Sequence, residues 1–333
     1  MLRILENDSV VSPPIEVDGL APRCPRCGGN FVRNDAETLR EETNYDCKEC
    51  RFTMRLEEGI WRALPPERLA YFSQFTNDYQ VIRAAEGRGS EQAEYYLNLP
   101  YSDASGQNSG QWKIRASTFL FLSRRLLPRI IAGTQAAPRI LDVGAGNGWL
   151  SYRLALQGFR PVAVDILVND QDGLGAAMHY SGHLPSLFPL FQAESTHLPF
   201  TDRQFDAVIF NASFHYAEDY EASLREVLRC TREGGTIIIA DSPWYTDGAS
   251  GEKMLLERRA AFLKRFGTAS DSITSLAYLT DDRLRDLEQH CRIQWHRHTP
   301  NYGLRWAMRP FLAKLRGRRE PARFRIYSAR KTT

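Results

Sequence analysis

The chain has 333 residues, 43% of them hydrophobic and 25% charged, which is enough apolar residue to bury a full core in one large domain with additions or in two. No apolar run approaches the roughly 20 residues of a membrane helix, and the first residues carry Glu6 and Asp8 where a secretory leader would be apolar, so a cytoplasmic protein is expected. The formal net charge of +3 is uneven: residues 303–333 hold ten Arg or Lys against one Glu, +9, which leaves −6 for the rest.

After an extension over residues 1–20, the first element is set by cysteines. Cys24 and Cys27 stand in CPRCGG and Cys47 and Cys50 in CKEC, giving C-x2-C, nineteen residues, C-x2-C. Two such knuckles offer four thiolates tetrahedrally to one zinc ion, so residues 21–64 are expected to form a zinc ribbon. Residues 31–46 would form its hairpin and residues 52–64 would close it. Four protein ligands leave no open position, so the zinc is expected to be structural. Cys230 and Cys291 are isolated and read as small buried residues. Pro65 and Pro66 mark a boundary, and residues 65–130 read as mostly helical, with Phe119, Leu120, Leu122, Leu126 and Leu127 as an apolar stripe.

Residues 131–333 open with RILDVGAGNGWL, an apolar strand ending in an acid and three alternate glycines before a helix, the first unit of a doubly wound α/β fold. A dinucleotide fingerprint would place a small residue at the sixth position from Gly144; Trp149 stands there. The second strand, Pro161 to Ile166, ends in Asp165, about the distance at which an acid receives ribose hydroxyls. An acid followed by glycines at +2, +4 and +6, here Asp142, Gly144, Gly146 and Gly148, resembles the first motif of the class I S-adenosylmethionine-dependent methyltransferases.

That resemblance implies a Rossmann-like, doubly wound seven-stranded sheet with helical lid insertions. It implies that Gly144, Ala145, Gly146, Asn147 and Gly148 lie against the amino-acid part of S-adenosylmethionine. Asp142 would favour its ammonium and sulfonium, and Asp165 and Ile166 would border the ribose. The third strand, Leu190 to Ala193, leads into QAESTHLPF, similar to the family's DAExLPF, which puts Ala193 and Glu194 beside the adenine; Gln192 stands where Asp is usual. The fourth strand, Phe205 to Asn211, ends at Asn211 and is followed by His215 and Tyr216, the candidates for proton transfer by resemblance, with Asp241 and Tyr245 next. His215 has a pKa range suited to base work. Gly234 and Gly235 would stop a helix before a fifth strand, Thr236 to Ala240. Residues 247–289, with two helices, are suited to form a lid. Residues 291–298, 304–315 and 322–329 read as strand, helix and strand, matching the antiparallel pair that ends the family's sheet. Such a family segment folds over the cofactor mouth, so Tyr101, Trp112 or Arg115 either touches ligand or packs the helical layer.

Three functions are compatible with these readings. One is methyl transfer to a small metabolite or lipid-like acceptor, by in-line displacement in which alignment supplies much of the rate. A second is a ribosomal-RNA base methyltransferase that uses the ribbon and the basic C-terminus for RNA. A third is a non-catalytic binding module, which would be expected to have lost Asp142 or the glycines.

Overall fold

A computed structural model describes residues 16–33, 43–132 and 136–332. The extension at residues 1–15 and the middle of the expected ribbon hairpin, residues 34–42, lie outside the described residues. Four short strands come first: β1 (Phe31–Arg33), β2 (Asn44–Cys47), β3 (Thr53–Glu57) and β4 (Ile60–Arg62). The helical region holds α1 (Pro66–Ala85), α2 (Ala93–Asn98), α3 (Ser109–Phe121) and α4 (Leu127–Ile131). A π turn over Leu122–Leu126 joins α3 to α4. Pro128 follows it, and a proline lacks the N–H that a regular helix would need there.

The core alternates β5 (Arg139–Val143), α5 (Trp149–Ala155), β6 (Arg160–Asp165), β7 (Leu190–Gln192), β8 (Phe205–Asn211), α6 (Tyr220–Cys230) and β9 (Thr231–Ala240). Then come α7 (Gly248–Phe266), α8 (Asp281–Cys291), β10 (His296–His298), α9 (Leu304–Ala307), α10 (Arg309–Leu315) and β11 (Ile326–Arg330). The strands form one sheet in the order β1-β2-β3-β4-β7-β6-β5-β8-β9-β11-β10. The expected seven strands are therefore part of a larger sheet of eleven, because β4 pairs in parallel with β7, Trp61 opposite Phe191, and brings the ribbon strands into the sheet.

The central strands are buried on both faces, as parallel strands under helices are. Leu141, Val143, Val164, Val208 and Ile239 point to the face covered by α6 and α8; Ile140, Ala163, Ala207, Ile209 and Ile238 point to the face covered by α3 and α5. Leu284 and Leu287 place α8 in the first of these cores, so of the two expected lid helices only α7 is free to cover a site. The fifth strand begins earlier than expected, at Thr231. Gly234 and Gly235 form an irregularity within it, where the register against β8 shifts between Phe205 and Ala207. A Cβ on Gly235 would fall 2.6 Å from Thr231 Cγ2 and 2.9 Å from the Arg232 carbonyl. The sixth strand is only three residues long. Arg292, in left-handed conformation at φ 53°, ends α8, and Glu288 accepts the Trp295 amide at 2.6 Å, which takes up the expected first half.

Candidate functional site

The four ribbon cysteines converge. Each knuckle folds its own backbone into a loop: the Gly28 amide donates to the Cys24 carbonyl at 2.8 Å and the Cys47 amide to the Phe52 carbonyl at 2.8 Å. This brings Cys24 Sγ to 3.6 Å from Cys50 Sγ, Cys27 Sγ to 3.4 Å from Cys47 Sγ, and all four sulfurs within 4.8 Å of one another. None of the four is in a disulfide. A tetrahedral zinc with Zn–S bonds of about 2.3 Å spaces its sulfurs by about 3.8 Å, so the donor set fits that ion.

The second site lies at the carboxyl ends of β5, β6 and β8, where the strand order reverses, the usual ligand crevice of an open α/β sheet. A cavity of about 380 Å³ opens there. Of the residues singled out for a cofactor, Gly144, Gly146, Asp165, Ile166, Ala193 and Glu194 line it. Gly146 has φ +55°, and a Cβ there would meet only the Asp172 carbonyl, at 3.4 Å, so bare backbone faces the cavity. Asp165 accepts the Gly146 amide at 2.8 Å on one oxygen and the Leu167 amide at 2.8 Å on the other. Burial raises its pKa to about 6, against the pull of those two amides.

The remaining loop residues stand behind the cavity wall. Asp142 is buried and accepts the Ser151 hydroxyl at 2.9 Å, and burial raises its pKa to about 7. It braces strand to helix and does not line the cavity. Ala145 packs in the core, Asn147 accepts the Trp149 amide, and Gly148 caps α5 at φ +73° with Phe188 and Ala177 against it. Asn211 ends β8 with its Oδ1 buried and without a partner among the described residues. Glu194 is held by Arg68 through two bonds of 2.8 and 2.7 Å. His197 and Arg68 outweigh the burial that opposes ionisation, and its pKa falls to about 2.

Sequence reasoning did not single out α1 as a wall of this cavity, yet Arg68, Phe72, Phe75 and Tyr79 all line it. Their spacing of three or four residues puts them on one face of the helix. That spacing was the available signal.

A second cavity, of about 500 Å³, adjoins the first and shares Phe75, Tyr79, Ala212 and Tyr216 with it. Here the two proton-transfer candidates part. Tyr216 borders both cavities, its ring 6.2 Å from Phe75 and 5.8 Å from Tyr79. His215 lines only the second cavity among these two, with Nδ1 3.4 Å from Ser242 Oγ. Burial, with Arg258 and Arg115 nearby, lowers its pKa to about 3. Asp241 also lines this cavity. Its Oδ1 accepts the Thr118 hydroxyl at 2.6 Å, its Oδ2 is buried without a partner among the described residues, and burial raises its pKa to about 6. Trp112 is buried in the core behind, whereas Arg115 reaches the cavity. Tyr101 is 52% exposed and lines neither.

The basic C-terminal segment is partly neutralised. Arg319 pairs with Glu257, Arg323 with Glu320, Arg325 with Asp281 and Lys331 with Glu233. Among the described residues no helix is long and apolar enough to cross a membrane.

Residues 141–239 match a family described as a methyltransferase domain. A demethylmenaquinone methyltransferase of Mycolicibacterium gilvum is 34% identical over 112 residues, covering 34% of this chain and 45% of that protein. One of Corynebacterium urealyticum is 34% identical over 103 residues, covering 31% and 41%. The chain thus spans less than half the length of these curated relatives. Among solved structures, the 1,6-didemethyltoxoflavin-N1-methyltransferase of Burkholderia thailandensis, with 1,6-didemethyltoxoflavin and S-adenosylhomocysteine bound, aligns at a TM-score of 0.41 and 16% identity over 66% of this chain and 79% of that one.

Proposed function

We propose that the protein transfers a methyl group from S-adenosylmethionine to a small-molecule acceptor, and that a structural zinc ion closes its ribbon. The observation that carries this is a pair of adjoining cavities, one bordered by the glycine loop and Asp165, the other by Asp241 and aromatic side chains, which meet at Ala212 and Tyr216. S-adenosylmethionine supplies an already activated methyl group on a sulfonium. In this chain the Gly144 and Gly146 backbone would take its amino-acid end, Asp165 its ribose, and Ile166, Ala193 and Phe72 its adenine. Domain limits follow the chemistry: a ribbon over residues 21–64, a helical wall over 65–130, and a methyltransferase domain from 131 whose lid is α7.

Acceptor deprotonation is assigned to Asp241, with Tyr216 as a wall of the passage. Asp241→Asn is expected to lower turnover by about two orders of magnitude and to remove an acid limb near pH 6 from the profile of kcat at saturating S-adenosylmethionine, within the usual range for a general base. His215→Ala, measured beside it, should keep that limb. A profile unchanged in Asp241→Asn would return the base role to His215.

The RNA reading is disfavoured by topology. Six strand spacings of about 4.8 Å, roughly 29 Å, separate β4 of the ribbon from the basic β11, and cations on either side are paired: Arg23 with Asp202 and Arg26 with Glu67 in the ribbon, Arg323 with Glu320 and Lys331 with Glu233 in the C-terminal segment. The binding-module reading is disfavoured because Asp142 and the three glycines are intact.

Calorimetric titration with S-adenosylhomocysteine tests the donor assignment; binding of a nicotinamide dinucleotide in its place would overturn it. The pH dependence has a defined sign. A buried carboxyl whose pKa is raised to about 6 is ionised above that pH, at a cost to the ligand-free fold, and protonated below it. Ribose hydroxyls donate to the ionised form. Affinity is therefore expected to fall about tenfold from pH 7.5 to pH 5, the equivalent of one charge-assisted hydrogen bond. Asp165→Asn should bind weakly at both and show a flat profile.

A further inference from the structure

The second cavity carries more positive charge than its own residues neutralise. Four guanidinium groups line it, those of Arg83, Arg88, Arg115 and Arg258, against two carboxylates, those of Glu86 and Asp241. Arg83 is paired with Asp172, and Glu86 is shared between Arg83 at 3.8 Å and Arg88 at 3.0 Å. Arg88 is only 5% exposed, donates from Nη2 to Gln111, and leaves Nη1 buried without a partner among the described residues. Arg115 lies over the Trp112 ring at 4.8 Å, and Arg258 reaches the cavity from α7; neither has a carboxylate within ion-pair distance among the described residues. Asp241, the nearest compensation, is committed through one oxygen to Thr118.

Arg115 and Arg258 are half-buried, and a half-buried guanidinium without a counter-charge is costly, because part of its hydration is lost and nothing replaces it. Burial together with Arg88 and Arg83 pulls the Arg115 pKa down to about 10, still far above neutrality, so the group stays charged. Flat apolar walls share the lining with these cations: Phe75, Tyr79, Phe262, Trp306 and Phe324.

A groove of about 860 Å³ between α7 and α10 shares Pro243 and Arg258 with the cavity. Lys253, Arg309, Arg316 and Arg318 line it, and its one acid, Glu257, is taken by Arg319. Such a trough concentrates anions and directs them inward.

We infer that the methyl acceptor is an anion, a flat molecule bearing a carboxylate or phosphate that enters along the groove between α7 and α10 and lodges that group against Arg115 and Arg88, with its nucleophilic N–H or O–H on Asp241. The inference rests on the reading of this cavity as the acceptor site. A neutral acceptor of the same shape would leave the guanidinium groups unpaired.

The test uses the full chain saturated with S-adenosylhomocysteine and titrated calorimetrically with phenyl phosphate, benzoate, benzyl alcohol and inorganic phosphate. Phenyl phosphate or benzoate is expected to bind at least tenfold tighter than benzyl alcohol, and tighter than inorganic phosphate, which lacks the ring. Arg115→Gln should lose at least tenfold of that affinity and keep its affinity for S-adenosylhomocysteine. Arg258→Gln, on a largely exposed helix, supplies a second variant should Arg115→Gln fail to fold. The inference is overturned if benzyl alcohol binds as well as the anions, if inorganic phosphate matches phenyl phosphate, or if the folded variants keep wild-type anion affinity. Anion binding of the expected pattern without S-adenosylhomocysteine binding would support the anion site and count against the donor assignment, whereas the reverse would sink the anion site alone.

Discussion

Gly144→Val is expected to abolish measurable S-adenosylhomocysteine binding and to lower the melting temperature by several degrees. Gly144 has φ +72°, and a Cβ added there would lie 2.2 Å from Ser213 Cβ and 2.9 Å from its Oγ. Ser213 cannot step aside. Its hydroxyl donates to the Val143 carbonyl at 2.5 Å, and the preceding Ala212, itself at φ +57°, donates its amide to the Ala240 carbonyl. A β-branched side chain in the left-handed region costs roughly 1–2 kcal/mol, and overpacking adds about 1–3 kcal/mol. The relief available is to pull the loop from the end of β8, where the two cavities meet. Gly146→Ala separates the two effects. Its Cβ would meet only the Asp172 carbonyl at 3.4 Å, so the fold should lose about 1 kcal/mol while the methyl group intrudes on the cavity. Calorimetry should find affinity reduced in Gly146→Ala, with only that small loss of stability in thermal denaturation. Tight binding by Gly144→Val would refute the assignment of this loop to the donor.

The two halves of the site differ in how far a single sequence reveals them. The donor half is contiguous: strand, glycines and Asp165 fall within thirty residues, and the alternation of β5 and β6 is readable by eye because both faces of the sheet are buried. Even there, the letters of the motif do not say which residue faces ligand. Asp142 and Gly148 fit the pattern equally with Gly144 and Gly146, yet one braces Ser151 and the other packs against Phe188. The acceptor half is assembled from Arg88 and Arg115 in the helical region, Asp241 after β9, Arg258 on α7 and Trp306 on α9. No spacing connects them, since chain topology alone brings them together. The pKa of His215 belongs to the same class of property, because it is set by burial and by cations distant in sequence. The parallel pairing of β4 with β7 was likewise invisible, because three-residue strands carry almost no periodicity.

That pairing makes the ribbon part of the site's frame and leads to the second large expected effect. Removing zinc with a chelator, or replacing Cys47 with serine, is expected to release one zinc per chain and to weaken S-adenosylhomocysteine binding at least tenfold. Zinc binding in small ribbons and fingers is worth about 10–16 kcal/mol, comparable with the whole stability of a domain, so four short strands cannot hold their shape without it. The damage should not stop at the ribbon. Trp61 on β4 stacks on Phe191 of β7 at 6.4 Å, and Ala63 donates its amide to the Gln192 carbonyl. Ala193 and Glu194, which line the cavity, follow immediately. The first helix is tied in twice more: Arg26 in the first knuckle pairs with Glu67, and the adjacent Arg68 holds Glu194. Loss of the ribbon therefore frees both the edge of β7 and the start of the α1 wall. Cys230→Ser is the control, since Cys230 is fully buried at the end of α6 and takes no part in the sulfur cluster; it should keep its zinc and its affinity. Metal analysis of the purified protein, with tryptophan fluorescence and calorimetry before and after chelation, distinguishes the outcomes. Absence of zinc from protein purified without chelators would remove the metal, and zinc loss with unchanged affinity would show that β7 and α1 hold their places without the ribbon.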